Sequence, residues 1–321
     1  MSKITNNTNI PLGLAVWILA DNYDYQDIPN YISATSLMRP IKQIVLRHRL
    51  EETEGYDLSD RIPAALGNAL HDSIEKAWLE NYEKSLALLG YPKSLIDRIL
   101  INPTDEQLKA AKEPIPIYLE QRAIREIDGY KVGGKFDMVA EGIVQDNKST
   151  SVWTWVHGGK DDDYALQGSI YRWLNPDKIT EDFIRINFIF TDWQKALALS
   201  NPDYPDSRCK YRDIPLLEIR DTEEWIRGKL REITKFWDAP QSQVPDCTEE
   251  ELWRQPPKYK YYSDPAKVGG RSTKNFDDEA EAISYKNAKG KGIIITDYSE
   301  PQRCKYCEVF PICEQGQSYF S

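Results

Sequence analysis

The sequence predicts an α/β fold in which a mixed central β-sheet is flanked by helices. Helical periodicity dominates the first third of the chain, and three consecutive strands separated by turn signals occupy the middle. A further helix and an apolar strand follow the meander. This order of elements is typical of one sheet that is covered by helices.

The first region, residues 1–112, is expected to be helical. Ser33 or Ser36 can cap the first helix, in which Pro40 is tolerated only near the start. Asp60 and Pro63 favour the start of a second helix, and Gly90 favours its end. The expected helices are Leu37–Arg49, Ala64–Leu88, Lys93–Ile99 and Thr104–Lys112.

The second region, residues 113–238, is expected to contain the sheet. The dipeptides Asp128-Gly129 and Glu141-Gly142 are turn signals that separate three strands. The expected strands are Ile115–Ile127, Gly129–Val139, Ile143–Asn147, Phe183–Thr191 and a short one ending near Ile219. The expected helices are Asp163–Leu174 and the amphipathic Thr222–Trp237.

The third region, residues 239–321, is a tail of different composition. It begins with a stretch rich in Pro, Lys and Tyr at Arg254–Asn275. A short helix over Phe276–Ala288 and a strand over Ile293–Thr296 are expected next. Three of the five cysteines then lie close together near the C-terminus. We therefore expect an appended module that contains a cysteine cluster.

The composition is that of a soluble globular protein. The 321 residues include 51 acidic and 41 basic ones, for a formal net charge of −10, and 40% are hydrophobic. The longest apolar run, Leu12–Ala20, is about half of what a membrane span needs. It also lacks the flanks of a signal peptide. We expect no membrane partner, a cytoplasmic location and free or metal-bound thiols rather than disulfides.

A pair of carboxylates and a lysine lie in the expected meander. The segment Gly133–Asp137 ends one strand, and Asp146 and Lys148 share a face of the next. A hairpin can bring Asp137 beside them. Carboxylate oxygens are the ligands that Mg²⁺ prefers, and a lysine can position or help to deprotonate a water. Three solvent-facing charges on a strand would give the same pattern.

Two further pairs lie on expected helices with a spacing of four residues. His71 and Glu75 share one helix face, and the imidazole is a possible metal ligand. Gln167 and Tyr171 share a face of the helix after the meander, where both can hydrogen-bond a phosphodiester or orient the lysine. Each pair by itself is equally typical of an ordinary helix surface.

Taken in order, these residues resemble the RecB-type branch of the PD-(D/E)XK nucleases. That branch includes the nuclease domains of RecB and AddB, CRISPR-associated RecB-like exonucleases and many phage exonucleases. The resemblance extends from about Ser33 to Tyr171 and implies a restriction-endonuclease-like core. It further implies that Mg²⁺ or Mn²⁺ is held by His71, Asp137, Asp146 and the Asn147 carbonyl. The implied catalytic residues are Asp137, Asp146, Lys148, Gln167 and Tyr171.

The spacing of Cys304, Cys307 and Cys313 resembles that of the iron–sulfur members of this family. Those members draw a fourth cysteine from upstream of the core, but this chain has none before Cys209. Cys247 lies in a segment that resembles the tail of phage relatives, so we expect it, rather than Cys209, to be the fourth ligand. Four thiolates suit a [4Fe–4S] cluster or structural zinc, and the resemblance favours iron–sulfur.

The acidic net charge is unevenly distributed, so it does not exclude DNA binding by basic segments of the chain. Tyr31–Leu50 and Arg254–Asn275 are basic, and the second stretch contains tyrosines suited to stacking on single-stranded bases, although a solvated loop would look the same. The expected DNA contacts are Arg39, Lys42, Arg47, Lys258, Lys260 and Arg271.

The function expected from the resemblance is a metal-dependent DNA exonuclease of phage-type recombination, repair or processing, with a single-strand annealing protein or recombinase as a possible partner. One alternative is a non-catalytic DNA-end-binding recombination accessory protein that retains the fold. Another is a metal-dependent hydrolase with a different substrate.

Overall fold

A computed structural model describes residues 4–20, 26–50 and 56–320 of the chain. They belong to two compact units. The first unit comprises Met1–Met38 and Glu51–Arg231, and the second comprises Arg39–Leu50 and Glu232–Ser321. The second unit thus combines the cysteine-containing tail with a short segment from near the N-terminus.

In chain order, the helices and strands are β1 (Ile4–Thr5), α1 (Leu12–Leu19), β2 (Tyr31–Ser33), α2 (Ala34–Leu37), α3 (Ile41–Arg47), β3 (Tyr56–Asp57), α4 (Ile62–Leu88), α5 (Lys93–Ile96), β4 (Ile99–Ile101), α6 (Asp105–Ala110), β5 (Ile115–Ile127), β6 (Tyr130–Ala140), β7 (Ile143–Thr150), α7 (Val152–His157), α8 (Asp161–Leu174), β8 (Phe183–Phe190), α9 (Lys195–Ser200), β9 (Cys209–Pro215), α10 (Ile219–Phe236), β10 (Lys258–Tyr262), β11 (Lys274–Phe276), α11 (Glu279–Lys289), β12 (Ile293–Asp297) and α12 (Glu314–Ser318).

The first unit is built on a mixed sheet, as the sequence predicts. Among the described residues, seven strands form it in the order β4-β5-β6-β7-β8-β9, and β2 pairs with β6. The pairs β2–β6, β4–β5 and β7–β8 are parallel, and β5–β6, β6–β7 and β8–β9 are antiparallel. Alternate residues of β8 are buried, and α8 buries Ile170 and Trp173.

Two tight turns produce the meander. Asp128 and Gly129 have φ angles of 50° and 80°, and Glu141 and Gly142 have φ angles of 53° and 77°. Positive φ at both central residues is characteristic of the two-residue hairpin turn that matches strand twist. The two predicted turns are therefore confirmed, and they fix the register of β5, β6 and β7.

Several predicted boundaries are wrong where a polar cap or a proline takes precedence over periodicity. The helix predicted over Leu37–Arg49 is two helices, because Pro40 is extended and precedes α3. The strand predicted to end near Ile219 ends at Pro215, and Ile219 begins α10.

Two further boundaries differ for related reasons. Ile99 belongs to β4 rather than to the preceding helix, because it pairs in parallel with Ile115. Phe276 belongs to β11, and α11 starts only after Asp278, whose side chain accepts a hydrogen bond from the Glu281 N–H. A side-chain cap of this kind fixes the first turn of a helix.

The apolar run Leu12–Ala20 forms α1. Its residues Ala15 and Ile18 pack on Leu58 in a small hydrophobic cluster of the first unit. Several of its other apolar side chains are exposed. Across residues 4–20, 26–50 and 56–320, none of the helices combines the length and the hydropathy needed to cross a bilayer.

The second unit contains a small sheet in the order β11-β10-β12, with α11 against one face. Tyr261, Phe276 and Ala282 form its buried core. In sequence, this sheet and helix lie between Cys247 and Cys304. The helix α3 also belongs to this unit, and its Leu46 packs with Val309 and Cys313.

Candidate active site

The centre of the first unit's site is a fork between β6 and β7. These strands pair from Ala140 and Ile143 to Met138 and Gln145, and β7 then continues in parallel with β8. Asp137 and Asp146 are the next residues on each strand. The backbone N–H of Asn147 donates to Asp137 Oδ2 at 2.9 Å, so a carboxylate holds the fork where the paired register ends.

His71 lies on α4 and reaches the same fork. Its Nε2 is 3.1 Å from the Asn147 carbonyl oxygen, and its Nδ1 is 3.3 Å from Asp137 Oδ1. The hydrogen bond with Asp137, followed by that with Glu120, raises the pKa of His71 to about 10. A protonated imidazole therefore balances part of the carboxylate charge in the metal-free site.

Glu120 is the residue that sequence reasoning missed. It lies on β5, in the position opposite Asp137, between the pairs Leu119–Met138 and Gln121–Phe136. Its φ of 50° is unusual for a strand residue. Ligand atoms of His71, Glu120 and Asp137 all lie within 4.8 Å of one another. Counting back from the Asp128-Gly129 turn would have revealed it, because Glu120 precedes the turn by as much as Asp137 follows it.

Asp146 and Lys148 form the second half of the site. Asp146 is 2% exposed, and its Oδ2 lies 2.6 Å from Lys148 Nζ. That contact is ionic but lacks hydrogen-bond geometry, and Oδ2 has no hydrogen-bond donor among the described residues. A buried carboxylate oxygen without a donor, next to a cluster of His, Glu and Asp ligands, is a good fit for a divalent cation.

Burial and neighbouring charges set the protonation of this pair. Burial is the main cause that raises the pKa of Asp146 above its ordinary value, although Lys148 opposes it. Burial is the largest single influence and disfavours the charged form of Lys148, but the contact with Asp146 and the charges of Asp146, Asp137 and Tyr164 together outweigh it and raise the pKa of Lys148. Lys148 is consequently an ammonium at neutral pH, suited to stabilising negative charge rather than to accepting a proton.

Gln167 and Tyr171 line the same cleft from α8. The Gln167 side-chain amide donates to the Tyr171 hydroxyl at 2.8 Å. The Tyr171 ring lies against β6 at Gly134, where a Cβ atom would come within 2.9 Å of Tyr171 Cε1. Gly134 is therefore needed for the close packing that positions this pair.

All four predicted motifs meet in one cleft of about 570 Å³. Its lining includes the predicted residues His71, Asp137, Asp146, Lys148, Gln167 and Tyr171, together with Glu120. Lys135 also lines it, and its Nζ is 2.5 Å from Glu120 Oε2. The arrangement can hold a divalent cation beside a fixed ammonium. Metal-dependent hydrolysis of a phosphate ester uses these two kinds of group.

Comparison with known proteins finds only distant structural matches. No protein-family model matches the chain, and no curated protein matches it. Its structure is similar to that of SSO0001, with a TM-score of 0.41 and 17% identity over 74% of this chain and 94% of that one. It is also similar to a phage-related exonuclease from Haemophilus somnus 129PT, with a TM-score of 0.26 and 16% identity over 40% and 63%. Function is therefore argued from the site.

The second unit brings four cysteines into one region. Cys304 and Cys313 are buried, and Cys247 and Cys307 are half-buried. Gln315 holds Cys247 there, because its side-chain amide donates to the Cys247 carbonyl and accepts from its N–H. Cys209, in contrast, is exposed on β9 of the first unit.

The four thiols are all buried or half-buried. Burial raises the pKa of Cys247 to about 12, and it also raises the pKa values of Cys304 and Cys307. Among the described residues, the only His, Cys, Asp or Glu group whose ligand atoms all lie within 4.8 Å is His71, Glu120 and Asp137. Tetrahedral zinc, with Zn–S bonds of about 2.3 Å, needs sulfurs about 3.8 Å apart.

Most of the basic residues predicted to bind DNA form ion pairs within the second unit. Glu308 pairs with Arg39 and Arg47 of the first basic stretch, and acidic partners are also found for three lysines. The pairs are Arg39–Glu308, Arg47–Glu308, Lys42–Asp246, Lys258–Asp277 and Lys260–Asp297. Lys42 is only 4% exposed. Arg271 is exposed, and within the described chain it has no ion pair.

The tyrosines of the second basic stretch are not a stacking platform. Tyr261 and Tyr262 are 1% and 4% exposed, and their hydroxyls donate to the carbonyls of Lys291 and Gly270. Burial therefore leaves Tyr261 and Tyr262 without a face for stacking on bases, and Tyr261 belongs to the core of the small sheet, whereas Tyr259 is only half-buried. Alternating Lys and Tyr in this strand reflects its two faces.

Proposed function

We propose that this protein is a Mg²⁺- or Mn²⁺-dependent deoxyribonuclease that acts at DNA ends as an exonuclease. The observation that carries the proposal is the convergence of Asp137, Asp146, Lys148 and His71 in one cleft, at the fork between β6 and β7. Two carboxylates, an imidazole and an ammonium at such a fork fit phosphodiester hydrolysis better than they fit a structural role.

We further propose that the first unit has a restriction-endonuclease-like core of the RecB type. The order of the motifs along the chain supports this. A histidine helix comes first, the two carboxylates follow on adjacent strands, and the Gln167–Tyr171 helix comes directly after them. The strands β7 and β8 pair in parallel, and α8 lies between them in sequence. This crossover gives the mixed sheet that such a core requires.

In the proposed mechanism, Asp137, Asp146, His71 and the Asn147 carbonyl would hold the cation, with Glu120 as an additional candidate. A cation held there would lower the pKa of a bound water and offset negative charge on the phosphate. Lys148, fixed by Asp146, stabilises negative charge on the phosphate as the bond to the leaving oxygen breaks. Gln167 and Tyr171 position Lys148 or the DNA backbone.

We also propose that Cys247, Cys304, Cys307 and Cys313 bind a [4Fe–4S] cluster. Each thiolate binds a different iron in such a cluster, so the sulfurs lie farther apart than around one zinc ion. The spacing of Cys304, Cys307 and Cys313 along the sequence, which resembles that of iron–sulfur nucleases, favours this choice over structural zinc. The cluster would stabilise the tail, since ligands far apart in sequence would be held together.

The partners and the cellular location that we propose follow from the same chemistry. DNA ends, single-stranded or duplex, are the substrate, and a single-strand annealing protein or recombinase would use the product. The exposed thiol of Cys209 and the metal-binding thiols suit the reducing cytoplasm.

The proposal is tested with end-labelled single- and double-stranded DNA in Mg²⁺, Mn²⁺ or EDTA. We expect stepwise shortening with either metal and none in EDTA. Lys148→Ala should abolish shortening, whereas Lys84→Ala, a change of an exposed lysine on α4, should not. Binding without cleavage would instead identify an end-binding accessory protein, and neither binding nor cleavage would indicate a hydrolase with another substrate.

A further inference from the structure

Trp17 differs from the other tryptophans of the chain. Each of the others lies against a second aromatic ring or a cationic side chain. Within residues 4–20, 26–50 and 56–320, no such contact is found for Trp17, which is 37% exposed. Part of its surface is therefore accessible to a ligand.

Trp17 is held in place by the rest of α1. The neighbouring Ile18 is 3% exposed and packs with Ala15 and Leu58, and Ile62 and Ala65 of α4 cover the same cluster. The helix is thus anchored on the side away from solvent. A side chain carried by an anchored helix loses little freedom when it binds a ligand, which favours its use in recognition.

Trp17 also lines the candidate active-site cleft. The lining includes apolar residues, among them Trp17, Ile18 and Ala65, and charged residues, among them Asp137, Asp146 and Lys148. A nucleotide has the same two parts, a flat base and an anionic phosphate. The lining therefore matches a nucleotide whose phosphate lies at the cation site.

We propose that Trp17 stacks on a nucleobase of a DNA strand whose phosphate is bound at the site of Asp137 and Asp146. The proposal places an unpaired strand in the cleft, where a base not covered by its neighbours can lie against the ring. A cleft of about 570 Å³ is in the size range of small-ligand sites and is large enough for part of one strand. The inference rests on the proposed nuclease function and specifies its substrate as single-stranded or frayed ends.

The test compares binding of two fluorescein-labelled oligothymidylates by anisotropy, one intact and one with abasic nucleotides at both ends. Binding is measured in the Lys148→Ala background, so that the DNA is not cleaved. Replacing an aromatic residue that stacks on one base weakens binding by roughly 5- to 150-fold. We therefore expect Trp17→Ala to weaken binding of the intact strand by such a factor and to leave binding of the abasic strand unchanged.

Two variants serve as controls. Trp17→Phe keeps an aromatic ring and should retain most of the preference for the intact strand. Trp153→Ala removes a tryptophan that is 63% exposed on α7 and does not line the cleft, so it should change neither affinity. A Trp17→Ala protein that unfolds would be replaced in the comparison by Trp17→Leu, which keeps an apolar side chain without a ring.

Equal weakening of both oligonucleotides by Trp17→Ala, or no weakening of either, would overturn the stacking site while leaving the nuclease function intact. If the wild-type protein neither binds nor cleaves DNA, the proposed function is wrong and the subsite falls with it. A wild-type enzyme that degrades blunt duplex ends as fast as frayed ones would also contradict an unpaired strand in the cleft.

Discussion

Glu120 lies in the position opposite Asp137 across the β5–β6 hairpin, and both carboxylates approach the same nitrogen of His71. Nδ1 is 3.9 Å from Glu120 Oε1 and 3.3 Å from Asp137 Oδ1. Three potential metal ligands thus converge from three elements, β5, β6 and α4. A cation bound here would replace the proton that His71 holds in the metal-free protein.

Glu120→Gln is expected to weaken binding of Mn²⁺ by about 10- to 100-fold, the range found when a supporting group of a metal site is removed. The cause is the loss of one negative charge near the cation. Calorimetric titration of the protein with Mn²⁺ measures the change. Glu80→Gln, on an exposed part of α4, should leave the affinity unchanged; equal affinities for all three proteins would remove Glu120 from the site.

The stability of the metal-free protein should fall at high pH because of His71. Its pKa in the folded protein, about 10, lies above the ordinary value of 6.5, so the folded state binds the proton more tightly. The resulting stabilisation is fully present below pH about 6.5 and is lost as the pH rises through about 10.

Urea unfolding in EDTA at pH 6 and pH 10.5, for the wild type and His71→Gln, tests this dependence. The difference in free energy of unfolding between the two proteins should be a few kcal/mol smaller at the higher pH. A difference independent of pH would mean that His71 is not held by Asp137 and Glu120 as a cation.

Gly134→Ala is expected to lower both stability and activity. The new methyl group would lie 2.9 Å from Tyr171 Cε1 and 3.0 Å from Leu174 Cδ1, so these side chains must shift, and a shift of the Tyr171 ring would disturb its hydrogen bond with Gln167. Overpacking of this kind costs about 1–3 kcal/mol. The measurements are the unfolding midpoint and the rate of DNA shortening.

Gly228→Ala on α10 is the matched control for this change. Its nearest neighbour would be the end of the Arg231 side chain at 4.0 Å, so no clash arises. Alanine in a helix is favoured over glycine by about 0.5–1 kcal/mol. This variant should therefore be slightly more stable than the wild type. A stable, fully active Gly134→Ala protein would show that the packing of Tyr171 is not needed.

Cysteine substitutions should distinguish a ligand of the proposed cluster from the exposed thiol of Cys209. Purified without oxygen, the protein should be brown and contain iron and sulfide, and Cys247→Ser should lower both by removing one ligand. Cys209→Ser should change neither, because Cys209 is exposed on β9 in the other unit. Zinc in place of iron, or an unchanged iron content in Cys247→Ser, would contradict the assignment.

Replacing Lys42 should affect folding rather than DNA binding. Its side chain is 4% exposed and forms an ion pair with Asp246 beside Cys247. Because Asp246 itself is largely exposed, we expect a loss of about 1–2 kcal/mol, mainly from the packing of the lysine stem. Arg271→Ala, in contrast, should reduce the salt dependence of DNA binding and leave stability unchanged. The reverse pattern would restore Lys42 as a DNA contact.

Local signals predicted the parts of the fold that depend on neighbouring residues. The turns at Asp128-Gly129 and Glu141-Gly142, together with strand alternation, placed Asp137, Asp146 and Lys148 on one fork. Helical spacing likewise placed Gln167 beside Tyr171. In each case the geometry follows from the period of the element that carries the residues.

Features that depend on distant contacts could not be predicted in the same way. Lys42 looks like an accessible cation in the sequence, and only the fold shows that Asp246 covers its charge. Glu120 has no motif around it, and its role depends on the register of a long hairpin. The role of α3 depends on Leu46 meeting Val309, far along the chain.

The membership of α3 in the second unit has a consequence for synthesis of the protein. Leu46 leaves the ribosome early, but its partners Val309 and Cys313 are made long afterwards. During that interval Leu46 lacks these partners, and exposed apolar residues of nascent chains favour aggregation. A fragment that stops near Pro240 would leave Leu46 without them permanently, so the first unit should be expressed with the tail, either in one chain or with the tail supplied as a second chain.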